Sequence, residues 1–169
     1  QTLLDHPVLP DTDEQIKALL AEGCTHFVWG VGCVKSKPHR LSQYHQLIHL
    51  GFTPLTVIHP TAIVAKNASV HKGVVISAGA IVQPFANIGE GSIINTGAII
   101  EHHTRISTNV HIAPGAILCG DVVVGANSFI GAGSVVIQGI QIGENITIGA
   151  GETVRKDIII EDAQTTIGH

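Results

Sequence analysis

Three imidazoles fall within ten residues of this chain: His102 and His103, adjacent in IIEHHTRI, and His111 in VHIAPG. Two chemistries are open to such a set. A neutral imidazole near pH 7 can take a proton from an attacking amine or hydroxyl, and imidazole is also a good zinc ligand. With eleven histidines in the sequence, neither role can be assigned until the elements that position these three are known.

Those elements are written as a repeat. From Ile58 through Val154 an aliphatic residue stands at every sixth position, and up to Ser134 the residue four places later is small, as at Ala62, Ala80, Ala98 and Ser128. Three places after each aliphatic residue comes Gly, Asn or Asp, the residues that enter the left-handed backbone region at least cost. The exceptions are Thr61, Phe85 and His103. A helix cannot keep a period of six with a breaker in every unit, and hairpins would show period two without fixed turns. Short strands joined by turns at a fixed interval describe a β-solenoid in which three hexads close one triangular coil. Stacked at about 4.8 Å, the coils predict a prism on the order of 26 Å tall. Each buried aliphatic side chain contributes roughly 1.5–3 kcal/mol. That compensates for a chain that is 44% hydrophobic but only 4% aromatic.

This register turns the histidines into a pattern. Phe85 and His103 are one coil apart and must stack on the same corner, with large side chains where most other corners carry Gly or Asn. Histidine also tolerates the left-handed conformation, so His103 has a purely structural reading as well. His102 shares that corner. His111 lies half a coil later and points outward from the opposite side, on the order of 10 Å away, too far for a hydrogen bond of ~3 Å. The two can cooperate only between neighbouring prisms, and a cyclic trimer supplies such contacts.

Residues 1–56 follow another rule. PDTDEQIKALLAEG reads as a helix with Asp11 and Glu14 as a capping box and Gly23 as its stop. THFVWGVG reads as a buried strand running into the Gly30–Gly32 turn, and KPHRLSQYHQLIHLG as a second helix ended by Gly51. The expected domains are a partial α/β, Rossmann-like segment at 1–56, a β-helix at 57–157 and a C-terminal tail at 158–169 acting as a cap. A net charge of −4, without a basic cluster, argues against nucleic acid or an anionic membrane as partner. No signal peptide or membrane-spanning run is evident. Cys24, Cys33 and Cys119 match neither a disulfide framework nor a zinc ribbon, so a soluble, cytoplasmic protein is expected. The chain starts at Gln1 and has no Met, so residues upstream are expected.

The stretch from INTGAIIEHH through HIAPGAILCG to NITIGAG, with TVIHPTAIV at its entry, resembles the sialic acid O-acetyltransferase and nucleotide-amino-sugar N-acetyltransferase family of hexapeptide-repeat proteins. The resemblance covers about residues 24 to 157 and is carried most specifically by N-T-x-x-x-I-E-H followed by H-I-A-P-G. It implies a left-handed parallel β-helix, a homotrimer with active sites between subunits, and acetyl-CoA as co-substrate, with no metal. It implies His102 as general base and His111 beside the thioester from the adjoining subunit. Asn95 would lie near the acceptor, a sugar or nucleotide-sugar, and the pantetheine arm would run past Gly120, Ala132 and Ala150. Two departures stand out. Where the family usually carries Asp or Glu after the catalytic His, this chain has His103, leaving Glu101 as the adjacent carboxylate. The family's first strand and G-x-G-G-H-G loop have no counterpart in residues 1–56.

Two alternatives use the same coil. A metal-dependent hydratase of the γ-carbonic-anhydrase type would draw ligands from His71, His102, His103 and His111. A non-catalytic β-helix scaffold or regulatory protein would need none of these residues.

Overall fold

The structure, a computed structural model, describes residues 2–3, 6–10, 12–32, 38–159 and 165–167. The repeat folds as a parallel β-solenoid. From Val57–Ile58 to Thr153–Val154 each short strand ends on the aliphatic residue of its hexad. The strands stack into three faces. The first holds Val57–Ile58, Val75–Ile76, Ile93–Ile94, His111–Ile112, Phe129–Ile130 and Ile146–Ile148. The second runs from Ile63–Val64 to Thr153–Val154 and the third from Ser69–Val70 to Gln141–Ile142. Neighbouring strands pair at the coil period, as in Ile94 with Ile112, Ile100 with Leu118 and Ile106 with Val124.

The hexad dictates this arrangement residue by residue. The aliphatic residues point inward and are fully buried through the middle coils, among them Ile88, Ile94, Ile100, Ile112, Leu118 and Ile130. The small residues Ala80, Ala98 and Ala116 are equally buried and leave room for them. Where the small residue is polar, its hydroxyl is satisfied by backbone: Ser92 donates to Ser107 O at 3.0 Å and Ser128 to Gly143 O at 2.9 Å. Every sixth residue from Gly73 to Gly151 has positive φ. Thr61 and Asn67 do not, so the first coil is irregular, as the first coil of a stack can be.

The N-terminal part departs from expectation in three ways. The first helix, α1 (Asp13–Ala21), is capped by Thr12, whose hydroxyl accepts from Gln15 N–H at 3.3 Å. The N-cap is therefore Thr12, and Asp11 lies outside the described residues. THFVWGVG forms only the two-residue strand His26–Phe27, which pairs in parallel with Thr53–Pro54. Val28 and Val31 are exposed while Trp29 is buried, and the last bond of the ladder runs from Leu55 N–H to Phe27 O at 2.8 Å. With α2 (Pro38–His49) as its crossover this is one small βαβ unit, less than a Rossmann-like sheet. At the other end, Thr165–Ile167 pairs in parallel with Ile146–Ile148 and adds a strand to the first face.

Helix α2 docks on one corner of the solenoid. Tyr44 is buried and lies over Gly73, where a Cβ would collide with its hydroxyl. Phe27, Trp29 and Tyr44 pack edge to face at 5.5–6.3 Å. Burial first, and the nearby Glu90 carboxylate second, hold the Tyr44 phenol above its ordinary pKa. Arg40, also buried, donates from Nε to Val31 O at 2.6 Å and from Nη1 to Gly91 O at 3.0 Å and to Asn109 Oδ1. Asn109 passes the contact on to Asn127 Oδ1 at 2.8 Å. One guanidinium thus ties the βαβ unit to two coils. Arg40→Met is expected to cost about 3 kcal/mol, because it strands buried acceptors that a charged donor satisfied. Urea unfolding measures this, and an unchanged midpoint would show that Arg40 is not the tie.

Candidate active site

The corner between the second and third faces carries the histidine pair. His102 and His103 follow the strand Ile99–Ile100 and precede Arg105–Ile106. Phe85 and His103 both adopt positive φ, 64° and 61°, and their rings lie 5.0 Å apart at 30°. The stack expected from their spacing is present. One coil further on the corner returns to Asp121.

His102 is exposed, yet its ring has a defined seat. It lies over Gly120, one coil later, where a Cβ would come within 2.6 Å of Cε1 and 2.8 Å of Nε2. Gly120 lies outside the left-handed region, so its glycine serves close approach rather than a turn. His102 Nδ1 is 3.1 Å from His103 Nδ1, with the rings edge to face. Glu101 is half-buried and donates its backbone N–H to Leu118 O at 2.9 Å. Among the described residues no hydrogen bond or ion pair joins its carboxylate to either histidine.

His111 stands on the first face, opposite that corner, and is 9% exposed. Asn95 Oδ1 accepts Thr96 N–H at 2.8 Å, which turns the amide so that Nδ2 donates to His111 Nε2 at 3.1 Å. In that arrangement His111 carries its proton on Nδ1. Its ring meets Phe129, one coil later, edge to face at 5.2 Å. From His111 a groove of about 430 Å³ runs past Pro114, Phe129, Ala132, Ile148 and Ala150. Ala113, Pro114, Ala132 and Ala150 put this groove at the corner where the first face turns into the second.

The structure therefore splits the expected residues into two groups. His102, His103 and Gly120 share one corner; His111, Asn95, Ala132 and Ala150 share the first face and its groove. Gly120, expected beside the pantetheine arm, makes room for the His102 ring. Phe129, Pro114 and Thr147, which also line the groove, were not singled out in the sequence. Counting one coil on from His111 would have found Phe129. Among the described residues of one chain, no three His, Cys, Asp or Glu side chains come together as a metal-binding group.

Comparison with known proteins bears on the coil and its repeat. The family description "Bacterial transferase hexapeptide (six repeats)" matches residues 103–138, and "Hexapeptide repeat of succinyl-transferase" matches residues 121–156. No curated protein sequence matches the chain. A mutant of perosamine N-acetyltransferase from Caulobacter crescentus, solved with CoA and GDP-perosamine, superposes with a TM-score of 0.87 at 31% identity, covering 94% of this chain and 73% of that one. The acetyltransferase domain of PglB from Neisseria gonorrhoeae, solved with acetyl coenzyme A, gives 0.83 at 32% identity over 93% and 74%. Coil and repeat define a hexapeptide-repeat transferase. Within that class, the chain belongs to the sugar acetyltransferase family that includes these two proteins.

The seat of His102 can be tested without any substrate. Gly120→Ala is expected to displace the exposed His102 ring while changing stability by less than about 0.5 kcal/mol, since the ring can swing outward. Imidazole NMR resonances of His102 and His103 should move while those of His71 stay. Unmoved His102 resonances would show that Gly120 does not seat the ring.

Proposed function

We propose that the chain transfers the acetyl group of acetyl-CoA to an amine or hydroxyl of a nucleotide-linked sugar in bacterial surface-glycan synthesis, and that it works as a homotrimer. One observation carries this reading: the second face of the coil has the His102 corner along one edge and the His111 groove along the other.

That face also has an outward stripe of Ile63, Ile81, Ile99, Ile117 and Val135, aligned by the coil register. Ile63 is 64% exposed, and the row offers a continuous apolar surface. Packing three such faces around a three-fold axis sets the His102 corner of one subunit against the groove of the next, in a heterologous contact that closes.

The groove suits a pantetheine arm. Its walls are largely apolar, and Ala132 and Ala150 keep side-chain bulk off the backbone. Acetyl-CoA supplies a thioester, activated enough that no covalent nucleophile on the protein is required. His102 accepts the proton of the acceptor amine or hydroxyl as the new bond to the acetyl carbon forms, then returns it to the departing CoA sulfur. His111, oriented by Asn95, lies where the groove meets the neighbouring corner and holds the thioester end. The C. crescentus relative was solved with GDP-perosamine, which supports a nucleotide-linked amino sugar as acceptor here.

Among the described residues no helix is long and apolar enough to cross a membrane. Cys24 and Cys119 are free thiols, which fits a reducing compartment, and we place the reaction in the cytoplasm.

CoA release measured against a panel of nucleotide-linked amino sugars and sialic acids tests the reading. Turnover is expected with at least one acceptor. His102→Ala should lower kcat by about 10²–10⁴-fold, the usual contribution of a general base, while acetyl-CoA still binds. Unchanged turnover in that variant would remove His102 from the mechanism.

A further inference from the structure

We infer that His103 is the positioning residue of the base: it accepts the Nδ1–H of His102 at its own Nδ1 and so holds His102 in the tautomer whose Nε2 is free to take a proton. The inference rests on the acetyl-transfer reading above and adds to it the group that stands in for a carboxylate.

The two Nδ1 atoms are 3.1 Å apart. At that separation one nitrogen must carry a proton and the other a lone pair. If His103 were the donor, neutral His102 would carry its proton on Nε2 and present no base to the acceptor. If His102 is the donor, its Nε2 is left with the lone pair. The chemistry requires the second arrangement, with the proton of His103 on its Nε2.

The surroundings hold His103 in place for this role. Its left-handed backbone sets the direction of the side chain, and its N–H donates to Pro84 O at 3.3 Å. The Phe85 ring stacks beneath it, and Phe85 is itself 57% exposed. An exposed aromatic at a left-handed corner has no claim on that position from folding; supporting His103 supplies a reason. On the next coil, Asp121 N–H donates to His102 O at 2.9 Å and fixes the backbone of the base. A neutral acceptor differs from a carboxylate in one respect. It fixes the tautomer and ring orientation but brings no negative charge to the imidazolium formed during the reaction, so His103 acts mainly by geometry.

Left-handed φ makes the test clean. Gly fits that conformation better than His, and Asp adopts it at residue 121. His103→Gly therefore removes the acceptor without straining the corner, and His103→Asp restores one. With ¹⁵N-imidazole labelling at neutral pH, His102 is expected as the Nδ1–H tautomer and His103 as the Nε2–H tautomer. In His103→Gly, His102 should shift towards the Nε2–H form and kcat should fall on the order of 10–100-fold with KM for acetyl-CoA unchanged. His103→Asp should return both readouts towards wild type. A wild-type His102 in the Nε2–H form, or a His103→Gly variant with unaltered tautomer and kcat, would overturn the inference. The NMR readout stands even if no acceptor is acetylated, so failure of this inference is distinguishable from failure of the functional reading.

Discussion

At each corner of the coil from Gly73 to Gly151 the backbone must turn within one residue, and it does so through the left-handed region. For an L-residue with a side chain that conformation costs roughly 1–2 kcal/mol, which Gly avoids and Asn or Asp reduces by local hydrogen bonding. The cost recurs every six residues from Gly73 to Gly151, so the composition of the whole solenoid is set by it. Corners of fixed spacing impose strands of fixed length, and strands of fixed length impose a register in which residues one coil apart lie directly above one another. Core, groove and site all depend on that register. Against this background Phe85 and His103 are costly choices, and they occur together, beside His102.

The solenoid was legible because its rule is local and repeated: inward aliphatics, small partners and turn-formers identify both the coil and its corners. The same arithmetic placed Phe85 under His103 and set His111 opposite His102. Elsewhere the signal was weaker. Thr12 and Asp11 are both good N-caps, and pattern alone does not choose between them. THFVWGVG has a strand's composition but finds a partner along only two residues. The strand at Thr165–Ile167 pairs Ile146 with Thr165, one residue beyond the coil period, so the repeat could not reveal it.

The site was legible in its types and less so in its contacts. In the sequence, glycine at 120 reads as room for a ligand, and nothing in the repeat shows that the His102 ring lies over it. Glu101 is adjacent to His102 in sequence, but the contact His102 makes is with His103, Nδ1 to Nδ1 at 3.1 Å. Arg40 and Tyr44 lie in a polar helical pattern, and nothing in it showed that they would be buried against Gly91 and Gly73. Such contacts join segments distant in sequence, where no short period operates.

The His102 corner and the His111 groove stand on opposite edges of one face, so the proposed reaction needs two chains to bring them together. Complementation tests this most directly. His102→Ala chains keep the groove and lose the base; Ala132→Trp chains keep the base and fill the groove. Each alone should be inactive. Co-expressed with different tags and purified through both, mixed trimers should carry one intact site in three and recover about a third of wild-type turnover. No recovery in trimers shown to contain both chains would contradict a site shared between subunits.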